Sequence, residues 1–143
     1  MPKKLKVRGR EYLLALLQDE QDKAGHISER FIEQTAKSIG LSISEVYGVA
    51  TFYRLLSTRP LGRNVIHVCK CIPCYLKSSQ FVVETIQEKL GIAPGETTLD
   101  GRFSLQLTNC IGACDQAPAM LLNHDLQGYL TPAKIAQILE ACP

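Results

Sequence analysis

Five of the six cysteines stand in two tight groups, Cys69-x-Cys71-x2-Cys74 and Cys110-x3-Cys114, and each group directly follows a run with strand character. A fold for this chain must therefore set two thiol-bearing loops at the ends of strands. No cysteine precedes Cys69, and the sixth is Cys142. A disulfide framework spreads its cysteines through a small secreted chain. Clusters of this kind read instead as metal binding or thiol redox chemistry. The start carries Lys3, Lys4, Lys6, Arg8 and Arg10, but no apolar core of a signal peptide follows them. This basic run reads as a solvated tail, with docking to an acidic partner as the other reading. Clustered thiols without an export signal point to a reducing cytoplasm. No uninterrupted apolar run approaches the ~18 residues of a membrane span, so direct membrane insertion is not expected. A formal net charge of +2 gives no global signal for nucleic acid.

The hydrophobic period changes near Pro60 and Gly62. Before that point the chain reads as helices. Leu13, Leu16 and Leu17 recur at helical spacing, and Gly25 ends the segment. Ser28 caps a second helix, Ile27 staples onto Ile32, and Gly40 supplies the stop. Ser42 and Glu45 form a capping box with Leu41 and Val46 as the staple pair. The third helix is expected to start near Ile43 and run through Leu56. Short connections and one apolar stripe per helix predict a bundle of three or four helices.

After that point Val65 to Val68 reads as a strand with Cys69 at its tip. Phe81 to Leu90 fits a helix capped by Ser78 or Ser79 and stopped by Gly91. Phe103, Leu105 and Leu107 alternate with Ser104, Gln106 and Thr108, the pattern of a half-buried strand. Ala119 to Leu122 is a further short strand, with Gly128 to Leu130 as its expected partner. Thr131 caps a last helix, Pro132 opens it, and Ile135, Ile138 and Leu139 form its stripe. This order predicts an α/β sandwich built on a small mixed sheet.

Adjacent strands ending at one sheet edge would bring Cys69 and Cys74 to Cys110 and Cys114. Four thiolates are the ligand set of a [2Fe-2S] cluster, one pair on each iron. Thiolates are soft donors that suit an iron–sulfide core and must be deprotonated to bind it. The small residues Gly112 and Ala113 leave room for backbone amides to donate to the sulfurs. Spacing alone leaves other readings open. A structural zinc site also takes four cysteines, and would make the chain a zinc-stabilised adaptor. Cys71-Ile72-Pro73-Cys74 is a C-x-x-C at a strand-to-helix junction, where a thiol–disulfide oxidoreductase keeps its dithiol. That reading leaves Cys110 and Cys114 without a task. Ordinary buried thiols are the remaining alternative. Cys71 and Cys142 each read as small apolar fillers. His67 and His124 stand near the groups, but two full cysteine pairs make Rieske-like ligation unnecessary.

Two longer strings, Glu45-Val-Tyr-Gly-Val-Ala-Thr-Phe-Tyr53 and Cys110-Ile-Gly-Ala-Cys-Asp-Gln-Ala-Pro118, resemble the thioredoxin-like [2Fe-2S] ferredoxin family. That family includes the E subunit of NADH:quinone oxidoreductase, small subunits of NAD-linked and electron-bifurcating hydrogenases, and formate dehydrogenase gamma subunits. The loop Pro94-Gly-Glu-Thr-Thr98 also looks familial, and the resemblance runs from about Tyr12 to Leu139. It implies an α+β chain, with an N-terminal helical bundle over residues 1–61 for partner docking. A thioredoxin-like α/β domain with a small mixed sheet follows over residues 62–143. It also implies one [2Fe-2S] cluster held by Cys69, Cys74, Cys110 and Cys114. Cys71 departs from the family pattern, which usually has a small or polar residue there. Core packing explains most of the aromatic string from Tyr47 to Tyr53, and the resemblance adds a docking face. Pro118 precedes a strand, where a thioredoxin fold carries a cis proline, although trans is the default.

The function this implies is an accessory electron-transfer subunit with no active site of its own. Its partner would be a flavoprotein subunit binding FMN and NAD(H), with further iron–sulfur subunits, in a hetero-oligomer. The complex would be an NADH:quinone oxidoreductase, an NAD-linked or bifurcating hydrogenase, or a formate dehydrogenase. The chain has neither G-x-G-x-x-G nor G-x-x-x-x-G-K-[ST], so nothing in it argues for a nucleotide site. A low potential is expected, near the about −400 mV of plant-type centres.

Overall fold

The structure is a computed structural model that describes residues 9–143. Of the basic run at the start, Lys3 to Arg8 lie outside the described residues. Arg10 pairs with Glu45 at 3.3 Å. The chain divides into two compact units, the first ending at Pro60 and the second beginning at Leu61.

The first unit is built from α1 (Leu13–Ala24), α2 (Glu29–Ile39) and α3 (Ile43–Phe52), preceded by a single 3-10 turn, Arg10–Tyr12. Its caps are local and strong. The Phe31 N–H donates to the Ser28 hydroxyl at 3.2 Å. The Ser42 hydroxyl accepts from the Glu45 N–H at 3.2 Å, and the Glu45 carboxylate accepts from the Ser42 N–H at 3.0 Å. Ile27, Ile32 and Val46 are buried with Leu17 and Ala50 in one cluster, and Leu41 packs against it. The third helix ends at Phe52, earlier than its apolar spacing predicts. Leu56 closes a turn instead, its N–H bonded to the Tyr53 carbonyl at 3.1 Å. The aromatic string also differs from expectation. The core takes Val46 and Ala50, whereas Tyr47, Phe52 and Tyr53 are exposed, Phe52 by 77%.

The capping box gives a direct test. The backbone N–H of Ser42, then its hydroxyl, hold the Glu45 carboxyl below its ordinary value of 4.5. A carboxyl lowered in the folded state contributes stability above that ordinary value and loses it as pH falls through the folded one. Ser42→Ala is expected to cost about 1 kcal/mol at neutral pH. The difference from the parent should shrink on acidification below 4.5, followed by urea denaturation.

The second unit comprises β1 (Asn64–Cys69), α4 (Ile72–Leu76), α5 (Ser79–Leu90), β2 (Phe103–Thr108), β3 (Met120–Leu122), β4 (Asp125–Gln127) and α6 (Pro132–Ala141). The sheet order is β2-β1-β3-β4, with β1 and β2 parallel and the other pairs antiparallel. Strand alternation sends Ile66 and Val68 into the core. There they pack with Leu105 and Met120 of the sheet, Val82 and Ile86 of α5, and Ile135 and Leu139 of α6. Thr131 caps α6 as expected, accepting from the Lys134 N–H at 3.2 Å. Ser78 precedes α5, but it lies at φ 60° and its side chain makes no cap bond.

Gly128 to Leu130 do not pair with β3, whose partner is β4. Tyr129 lies at φ 48°, which breaks an extended run. The Tyr129 and Leu130 N–H groups bond instead to the carbonyls of Gln116 (2.7 Å) and Pro118 (3.1 Å). The Ala117–Pro118 bond is cis, against the default for an X-Pro bond. Among the described residues no helix is long and apolar enough to cross a membrane.

Candidate metal centre

β1 and β2 run side by side in the same direction, with Cys69 opposite Thr108 at their ends. The loops that leave these two ends carry both cysteine groups. The first loop turns at once into α4, which sequence periodicity does not reveal because five residues are too few to repeat. The second loop turns through Gly112 and enters a 3-10 turn at Cys114–Gln116. Gly112 has φ 80°, and a Cβ there would meet nothing within 4 Å. Backbone conformation, not space, therefore calls for glycine at this position.

The thiols form two pairs. Cys110 and Cys114 have their sulfurs 3.4 Å apart. Cys69 and Cys74 are buried and interact through their thiols. Cross-interactions join the pairs, Cys74 with Cys114 and Cys114 with Cys69. Cys71 also joins the group, beside Cys69 and Cys110. Among the described residues no three His, Cys, Asp or Glu side chains close on one point as ligands of a single metal ion. A two-iron centre asks for two sulfurs on each iron, which is the pairwise arrangement present here.

The electrostatics fit a site that expects a cation. Burial pushes the Cys74 thiol up to about 11, against a backbone hydrogen bond from Ala119 that favours its thiolate. The Cys110 thiol raises Cys114. Burial, then the neighbouring Cys69 and Cys110 thiols, raise Cys71. Cys110 moves the other way, because the Gly112 N–H donates to its sulfur at 3.4 Å. The fold thus gathers groups whose charged forms repel one another, an arrangement that a positive core relieves. The same shifts oppose a thioredoxin-type dithiol at Cys71 and Cys74, which needs a lowered thiol.

The other sequence candidates fall elsewhere. Cys142 is buried in the core and donates to the Ile138 carbonyl at 3.2 Å, as a filler thiol does. Burial, and then His124, lower the His67 imidazole. A broad cleft of the second unit is lined by Lys89, Thr98 and Arg102 with neighbours, and by none of the cysteines. Sequence reasoning missed the Ala119 amide near Cys74 and the brace on the 3-10 turn that carries Cys114. That brace is Gly128, where a Cβ would stand 2.6 Å from the Gln116 Cβ. The Lys134 ammonium holds the Gly128 carbonyl at 2.6 Å. Neither residue belongs to a cysteine motif, so spacing carried no signal for them.

A small mixed sheet that delivers paired thiols from two parallel strand ends offers the four-sulfur ligand set of an iron–sulfur protein. The family model for the thioredoxin-like [2Fe-2S] ferredoxin matches residues 2–143, and the chain belongs to that family, whose cofactor is one [2Fe-2S] cluster. The E subunit of NADH-quinone oxidoreductase from Pseudomonas aeruginosa is 40% identical over 121 residues, covering 85% of this chain and 73% of the relative. In Rhizobium meliloti the E subunit numbered 2 of the same enzyme is 36% identical over 132 residues, covering 92% and 79%. Among solved structures, an NAD+-reducing [NiFe]-hydrogenase in the H2-reduced state aligns with a TM-score of 0.80 at 26% identity. That alignment covers 94% of this chain and only 22% of the hydrogenase chain. The two sequence relatives are thus subunits of NADH-quinone oxidoreductases.

Proposed function

We propose that the chain is a one-electron carrier subunit whose [2Fe-2S] cluster is held by Cys69 and Cys74 on one iron and by Cys110 and Cys114 on the other. The observation that carries this reading is the convergence of two thiol pairs beyond one edge of the sheet. When bound, the cluster supplies reversible uptake of a single electron. The protein's own groups do the rest. Burial of Cys69 and Cys74 keeps water from the inner sulfurs. The Gly112 N–H stabilises the charge on Cys110.

The proposed partner is a flavoprotein subunit that binds FMN and NAD(H), accompanied by further iron–sulfur subunits in the cytoplasm. A hydride carries two electrons together and a [2Fe-2S] cluster takes up one, so the partner's flavin would supply the division of the pair. The exposed Tyr47, Phe52 and Tyr53 support a docking role for residues 1–61. Anaerobic isolation of the native assembly, with iron, zinc and acid-labile sulfide analysis, tests the reading. Two irons and two sulfides per chain are expected from the two-iron core. One zinc, or bare and mutually oxidised thiols, overturns it.

The Gly128 brace yields a second expectation. Gly128→Ala drives a methyl group into the Gln116 Cβ, and that atom cannot swing away as a side-chain tip does. The turn that carries Cys114 must shift. Overpacking of this kind costs about 1–3 kcal/mol. The variant is expected to keep its circular dichroism but to lose iron faster than the parent during anaerobic desalting.

A further inference from the structure

We infer that Lys134 is a positioning residue of the metal centre: by holding the Gly128 carbonyl it fixes the peptide plane whose other end anchors the turn that carries Cys114. The inference rests on the ligand assignment proposed above.

The peptide unit between Gly128 and Tyr129 is held at both ends. Its carbonyl accepts from the Lys134 ammonium at 2.6 Å, and its N–H donates to the Gln116 carbonyl at 2.7 Å. In a planar trans peptide the two groups point in opposite directions, so fixing one aims the other. Gln116 is the last residue of the 3-10 turn Cys114–Gln116, and its own N–H bonds to the Ala113 carbonyl at 3.0 Å. The next N–H, that of Leu130, donates to the Pro118 carbonyl at 3.1 Å. The segment behind Cys114 thus hangs on two successive N–H groups, and the first of them is aimed from Lys134.

The backbone by itself favours the other orientation of this plane. Tyr129 lies at φ 48°, on the side that a bulky residue avoids. Its ring is exposed, so burial does not offset the strain. Rotating the Gly128–Tyr129 plane through half a turn would carry that angle to the ordinary negative side, and glycine at 128 accepts either setting. The rotated plane would present its carbonyl to the Gln116 carbonyl in place of its N–H, and the anchor would be lost. A strained setting persists where its surroundings over-determine it, and the ammonium supplies the restraint that the strain must overcome. Its place in α6 fits this role. Lys134 is the third residue of that helix, where a cation opposes the helix dipole. Its N–H is already spent on the Thr131 cap, and its side chain reaches back to Gly128, six residues earlier. A cation on the carbonyl also polarises the peptide unit and strengthens its N–H as a donor to Gln116.

The test uses the full-length, cluster-loaded protein with Lys134→Met, Lys134→Arg, and Lys134→Met combined with Tyr129→Asn. Iron and sulfide per chain are measured first. The rate of iron loss to a chelator under anaerobic conditions and the EPR signal of the reduced protein follow. Methionine keeps a long side chain without the charge. That variant should lose iron several-fold faster than the parent, towards the about 10-fold at the low end for outer-shell partners of a metal. Its EPR signal should split into two components. Arginine reaches the same carbonyl and should restore the parent rate and a single signal. Asparagine takes left-handed backbone more readily than tyrosine, so the double variant should lose iron more slowly than Lys134→Met alone. Parent-like retention with a single signal in Lys134→Met, equal loss from the arginine and methionine variants, or no slowing by asparagine overturns the inference and leaves the ligand assignment standing. A parent protein without two irons and two sulfides per chain overturns the assignment and the inference with it.

Discussion

Cys74→Ser is expected to leave the anaerobically purified protein pale and depleted of iron. The thiol it removes is buried at the start of a helix and belongs to the inner pair. A hydroxyl is a harder and far less acidic donor than a thiol, so the iron on that side would lose half of its protein ligands. Removing outer-shell partners of a metal typically costs about 10–100-fold in affinity, and losing a ligand costs more. Visible absorbance and iron per chain are the measurements. Cys114→Ser should behave in the same way. Cys142→Ser is the control: it sits in the core with Ile138, away from both loops, and should retain its iron. Depletion in the Cys142 variant, or full iron in the Cys74 variant, contradicts the assignment.

The second large effect concerns the scaffold. Ile66→Ala is expected to destabilise the second unit by about 2–5 kcal/mol. Ile66 is fully buried in β1, with Leu105 opposite it on one side and Leu122 on the other. Truncation there leaves a cavity in the strand that joins β2 to β3. Urea denaturation of the intact chain measures the loss. Leu99→Ala is the matched control, because Leu99 is fully exposed and its removal should change stability by less than about 0.5 kcal/mol. β1 also ends in Cys69, so the same truncation should increase the rate at which iron is lost on warming.

Local chemistry was the part of this fold most readable in the sequence. Ser28, Ser42 and Thr131 cap helices because a hydroxyl and a nearby N–H are all the motif needs. β1 and β2 were visible through β-branched content and alternation. Features set by distant parts of the chain were not visible. β4 is three residues long and half exposed, too short for an alternating pattern. Ser78 and Tyr129 take left-handed backbone, which their residue types do not announce. The proline isomer at Pro118 depends on tertiary context. Tyr47, Phe52 and Tyr53 have the spacing and chemistry of core residues, and only the packing of α3 reveals that Val46 and Ala50 fill that role.

The candidate site divides along the same line. The cysteine spacing pointed to the thiols but left open whether they hold a [2Fe-2S] cluster, a zinc ion or a redox disulfide. It could not name the Ala119 amide or the Gly128 brace, which act on the site from beyond the motifs.

Parallel pairing of β1 with β2 has a bearing on biogenesis. A nascent chain that has left the ribosome only as far as β1 and α4 offers one sulfur pair and nothing to hold the other beside it. The second pair arrives with the segment after β2, and Cys69 gains its backbone anchor on the Ala119 carbonyl only when β3 follows. Long-range strand pairing of this kind is slow. On the proposed ligand assignment, an assembly factor would therefore find both sulfur pairs together only once β1, β2 and β3 have met.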